Sequence, residues 1–121
     1  MKKIKQLAVW MDHSNALLME YNNHTIESAD MKIKKADDKD AHEIEVHSKE
    51  EQHNQSVFFK EISEIIRHYD DVLLFGPTDA KNELVNLLKE NHLFENIKIE
   101  LRNTDKLTEN QIHAYAHEYF A

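Results

Sequence analysis

The sequence predicts an α/β domain on one mixed β-sheet, with N-terminal antiparallel hairpins followed by an α-β-α-β-α run. Three observations lead there. Short apolar runs separated by turn residues fill the first third. From residue 56 a 3.6-residue apolar period takes over, and afterwards strand-length apolar runs alternate with amphipathic stretches to the end. With 121 residues, 40% hydrophobic and 31% charged, the chain has enough apolar material for one core, so residues 1–121 are expected to form a single domain.

Leu7-Ala8-Val9-Trp10-Met11 is continuously apolar, as in a strand covered on both faces, which places it centrally. Asp12-His13-Ser14-Asn15 supplies turn chemistry before a second apolar run, Ala16-Leu17-Leu18-Met19, and together these predict a hairpin. After Tyr21-Asn22-Asn23-His24, the alternation in 25–28 and 31–34 predicts a third strand. Residues 35–55 lose apolar periodicity, apart from a brief alternation at Glu43-Ile44-Glu45-Val46-His47 that reads as one short strand, so a mobile polar excursion is expected there.

From Ser56 a helix is predicted, with Phe58, Phe59, Ile62, Ile65, Ile66 and Tyr69 on one face. Val72-Leu73-Leu74-Phe75 is a buried strand that breaks at Gly76-Pro77. Thr78 is placed to cap a helix whose stripe is Ala80, Leu84, Leu87 and Leu88, running to about His92. Ile97 to Leu101 is another strand. The last helix carries a capping box, Thr108 with Gln111, and a hydrophobic staple, Leu107 with Ile112. A strand-helix-strand unit implies parallel pairing, so the sheet should be mixed. This order is that of a ribonuclease H-like layered sandwich.

Composition excludes much chemistry. Zero Cys removes thiolate metal sites, disulfides and thiol nucleophiles, and a single Gly removes Gly-rich phosphate loops. No apolar run approaches membrane-spanning length, so a cytoplasmic protein with no membrane partner is expected. A net charge of -8 argues against a DNA-binding surface, although Lys2, Lys3 and Lys5, and again Lys32, Lys34 and Lys35, can form local basic regions. Self-association is compatible with the sequence.

Three groups of residues have chemical potential. His113 and His117 have the i, i+4 spacing that can serve one metal ion, and His42, His47 and His53 sit among acids; boundary histidines of a helix have the same pattern without ligating anything. Asp12, with Glu20, Asp70 or Asp71, could hold magnesium in a nuclease, or could serve turns. The amides of 78–81 and the Lys81 ammonium could hold a phosphate, or make only a well-formed turn. No cofactor is expected.

The stretch Leu73-Leu74-Phe75-Gly76-Pro77-Thr78-Asp79-Ala80-Lys81-Asn82-Glu83-Leu84 resembles the strand, glycine turn and helix in the central domain of archaeal and eukaryotic class 1 peptide-chain release factors, a unit shared with Pelota and with compact bacterial relatives. Val9-Trp10-Met11-Asp12-His13-Ser14-Asn15-Ala16 is similar to the opening hairpin of the bacterial members. In release factors the excursion carries a Gly-Gly-Gln tripeptide directly before a long helix. Here Gln52-His53-Asn54-Gln55-Ser56 occupies that place, with Gln55 where the glutamine would be and both glycines missing.

The resemblance implies a translation-associated domain that contacts the ribosome or tRNA through His53, Asn54, Gln55, Ser56 and Lys81. Without the glycines, His53-Asn54 should not aim Gln55, the one catalytic candidate, at an ester bond, so a binding role without peptidyl-tRNA hydrolysis is expected. The competing readings are a metal-dependent nuclease built on Asp12 and a non-catalytic module whose acidic excursion orders on a protein partner.

Overall fold

The computed structural model describes residues 4–22, 25–35 and 44–120. Five strands, β1 (Lys5–Met11), β2 (Asn15–Asn22), β3 (Thr25–Lys34), β4 (Asp71–Gly76) and β5 (Lys98–Asn103), form one sheet in the order β3-β2-β1-β4-β5. The helices are α1 (Ile44–Ile66), α2 (Ala80–Lys89) and α3 (Glu109–Phe120), with a 3-10 turn at His92–Phe94.

The sheet is mixed as the sequence predicts. β1 pairs antiparallel with β2, and β2 with β3, while β1-β4 and β4-β5 are parallel. The all-apolar β1 lies in the middle, where both faces are covered. Alternation then sorts side chains into two cores. Leu7, Val9, Met11, Leu18, Val72 and Leu74 face one way, against Phe58, Phe59, Ile62 and Ile66 of α1 and Leu84, Val85 and Leu88 of α2. Ala8, Leu17, Met19, Tyr21, Leu73 and Phe75 face the other way, where α3 packs on them with Ile112, Ala116 and Phe120.

α3 begins where its signals place it. The Thr108 amide donates to Gln111 Oε1 at 2.9 Å and the Gln111 amide to Thr108 Oγ1 at 3.3 Å, closing the capping box, while Leu107 and Ile112 pack into the same core. At α2 the capping differs from expectation. Asp79, not Thr78, occupies the N-cap and makes no side-chain cap bond; Thr78 Oγ1 instead accepts from the Ala80 amide at 3.2 Å.

The largest departure is α1. It starts at Ile44, twelve residues before the expected Ser56, so the brief alternation at 43–47 is not a strand and 44–55 is helical rather than an excursion. The stretch contains no Gly or Pro and is rich in Glu and Gln, so nothing in it stops a helix nucleated downstream from extending backwards. The rest of the expected excursion, 36–43, lies outside the described residues, as do Lys2 and Lys3.

Candidate functional site

Helical geometry sorts the four residues of the expected tripeptide region. At 100° per residue, Gln55 points along the face of Phe58, Phe59 and Ile62, which are at most 5% exposed, whereas His53 and Ser56 lie on the opposite arc with Val57 and Lys60. The structure follows this geometry. His53, Ser56 and Lys60 are exposed at positions i, i+3 and i+7, while Asn54 and Gln55 are half-buried and the Gln55 amide nitrogen is shielded without a hydrogen-bond partner. Gln55 therefore stands inside a helix and turns towards the core, not at a loop tip before a helix start. Gln55, the expected catalytic candidate, is thus half-buried within α1.

The β4-α2 junction does not offer its lysine to a ligand. Lys81 is only 1% exposed, lies on the same stripe as Leu84, Val85 and Leu88, and its Nζ donates to the Thr78 carbonyl at 2.6 Å. The ammonium thus bonds to the turn preceding its own helix. Above it, His13 Nε2 meets Glu83 Oε2 at 2.9 Å, tying the β1-β2 hairpin to α2. Gly76 explains the local backbone: its φ is +152°, and a Cβ there would fall on the Met11 carbonyl oxygen. Lys81, expected to contact RNA, is buried and bonded to the Thr78 carbonyl in this structure.

Burial pushes the Lys81 pKa below its ordinary 10.5, with Asp79 partly opposing the shift. The folded chain then holds this proton less tightly than the unfolded chain, so Lys81 makes stability rise with pH between its lowered folded value and 10.5. Tyr69 and Tyr119, whose pKa values are raised chiefly by burial, act oppositely, but only as pH approaches and passes 10. Urea unfolding at a series of pH values below 10.5 should show a rising contribution that Lys81→Met removes, and identical slopes in both proteins would contradict it.

The carboxylates proposed for magnesium are distributed, not gathered. Asp12 Oδ1 accepts from the Ser14 amide at 2.8 Å and the Asn15 amide at 2.7 Å, which makes it the hairpin's turn residue. Glu20 pairs across from Leu7 and Asp71 from Gln6, so both lie about 17–20 Å along β1 from Asp12 at ~3.3 Å per residue. They also face opposite sides of the sheet. Glu20 accepts from the Tyr69 hydroxyl at 2.7 Å, and Asp70 Oδ2 accepts from the Lys5 amide at 3.1 Å. Asp12 therefore cannot share a metal with them. His113 and His117 fall one turn apart on α3, and among the described residues no group of three or more His, Asp or Glu could hold a metal ion.

What sequence reasoning missed lies on the α3 side of the sheet. Trp10, Leu17, Lys32, Lys34 and Ile112 line a cavity of about 310 Å³ among the described residues. The signal was available in the alternation of β2 and β3, which puts Lys32 opposite Leu17 and Lys34 opposite Asn15.

Among the described residues no helix is long and apolar enough to cross a membrane. The sequence matches no protein-family model and no curated protein. The fold is similar to that of Pelota from Thermoplasma acidophilum, with a TM-score of 0.62 and 12% identity over 93% of this chain and 31% of that one. Pelota from Archaeoglobus fulgidus gives a TM-score of 0.61 and 12% identity over 94% of this chain and 31% of that one. The chain thus spans about a third of the length of either protein, and its layered α/β fold is that of a Pelota-like domain.

Proposed function

We propose that the chain is a translation-associated domain, equivalent to the central domain of release factors and Pelota, that contacts the ribosome or tRNA without hydrolysing peptidyl-tRNA. The observation that carries this reading is the Pelota-like fold over 93% of the chain. Two features of α1 agree with it. The exposed arc of His53, Ser56 and Lys60 offers polar and cationic groups on the segment that corresponds by sequence to the release-factor tripeptide. The inward turn of Gln55 supports binding without ester hydrolysis.

Co-sedimentation with ribosomes of the source cell on sucrose gradients tests the reading. The protein should be retained at moderate salt, and His53→Glu combined with Ser56→Glu should weaken retention by about tenfold while leaving the fold intact, since both positions are exposed. Absence of the protein from the ribosomal fractions at low and moderate salt would contradict it.

A further inference from the structure

The cavity beside Trp10 has the composition of a ligand site. Its floor follows from strand register: Trp10 of β1 pairs with Leu17 of β2, which pairs with Lys32 of β3, and two positions along Asn15 pairs with Lys34. With a period of two, Trp10, Leu17, Lys32, Asn15 and Lys34 all point to the face that α3 covers. Among the described residues α3 crosses that face and borders this corner on one side with Ile112 and Glu109. The result is a cavity of about 310 Å³ with an aromatic and aliphatic floor and two ammonium groups on its rim.

The side chains inside are arranged unusually for a mere gap in packing. A tryptophan near solvent ordinarily turns its N–H towards water, yet here the Trp10 Nε1 is shielded and has no hydrogen-bond partner, while the ring borders the cavity. The indole is half-buried, with its one polar atom shielded and its ring part of the cavity lining. Lys32 Nζ meets Glu109 Oε1 at 3.0 Å, a bond that holds the Glu109 carboxyl below the usual carboxylate range and anchors β3 to the start of α3. Lys34 is exposed, stands about 7 Å along the strand from Lys32, and makes no ion pair among the described residues. On a chain of net charge -8, this corner carries two lysines against one glutamate.

We propose that the cavity binds a nucleotide unit, its base stacked on the Trp10 ring and its phosphate held by Lys34 with Lys32. Stacking on an aromatic ring and charge pairing with a backbone-tracking lysine are the two terms that bind nucleotides with little dependence on base identity. The volume suits one such unit. The Asn15 amide lies at the rim, where it supplies a donor and an acceptor to a base edge or a ribose hydroxyl. At the α3 N-terminus the amides of Thr108 and Gln111 are taken by the capping box, and the lysines, not that terminus, are the cationic groups of the cavity. The site is separate from the exposed arc of α1 and does not depend on ribosome contact.

Trp10 is the sole tryptophan, so its indole N–H gives one resolved ¹H–¹⁵N signal. Titration of the intact protein with each nucleoside monophosphate should move this signal saturably, inorganic phosphate and ribose 5-phosphate should not, and Lys34→Ala should weaken binding by about fivefold. A single-stranded oligoribonucleotide binding at least ~10-fold more tightly than a mononucleotide would identify an RNA strand as the source, and equal affinity a free nucleotide. The proposal is overturned if neither nucleotides nor RNA move the signal at about 10 mM. It is equally overturned if inorganic phosphate has the same effect, or if Lys34→Ala, at an exposed position that leaves the fold intact, changes nothing.

Discussion

Gly76→Ala should destabilise the protein by at least ~3 kcal/mol, a large part of the ~5–15 kcal/mol available to a domain of this size. Gly76 ends β4 with its backbone against the end of β1, and its carbonyl accepts from the Thr104 amide at 3.1 Å. The Cβ of alanine would strike the Met11 carbonyl oxygen, which is backbone and cannot swing aside as a side-chain tip would. The φ of +152° adds a second cost, because residues with a Cβ rarely adopt it. Relief requires separating β1 from β4, the two central strands, so the strain cannot be absorbed locally. Chemical denaturation measures the loss, and a change below ~1 kcal/mol would show that the two strand ends are not in close contact.

Leu84→Ala should cost ~3–5 kcal/mol. Leu84 is 0% exposed in the core shared by α1, α2 and the sheet, and its neighbours on the stripe, Ala80, Val85 and Leu88, are themselves at most 4% exposed. A cavity there cannot collapse cheaply, since the sheet lies beneath and α1 beside it. A near-neutral result would mean that α2 does not dock on this face. Trp10→Ala is expected to cost less than either, despite the size of the ring, because Trp10 is half-buried at the edge of a cavity.

Trp10 also shows where the sequence was readable and where it was not. The run Leu7–Met11 announces a central strand, and β1 is central, but an apolar run cannot say that one of its residues lines a cavity. The α3 start was legible to the residue, since Thr108, Gln111, Leu107 and Ile112 form a reciprocal pattern that few other arrangements satisfy. The α1 start was not. A polar stretch without Gly or Pro carries no stop signal, and a loop and the exposed turns of a helix share the same composition.

That missed boundary changed the site. With the helix taken from Ser56, Gln55 stands at its mouth and resembles a presented glutamine. With the helix running from Ile44, the same residue lies three before Phe58 and four before Phe59 and is drawn to their face. Lys81 was misleading for a related reason. Its position in the first turn of α2 suggests an anion site, but the stripe it shares with Leu84 and Leu88 buries it, and the Thr78 carbonyl takes its proton donor. Asp12 stood open between a turn and a metal, and the two backbone amides it accepts from decide for the turn.

The central claim is that the exposed arc of α1 meets the translation machinery. A photoreactive amino acid at Ser56, on that arc, compared with one at Glu118, exposed on α3, tests it most directly. Irradiation with ribosomes of the source cell should give RNA- or ribosomal-protein-linked product from position 56 and little from position 118. Equal labelling from both positions, or none from position 56, would contradict the account.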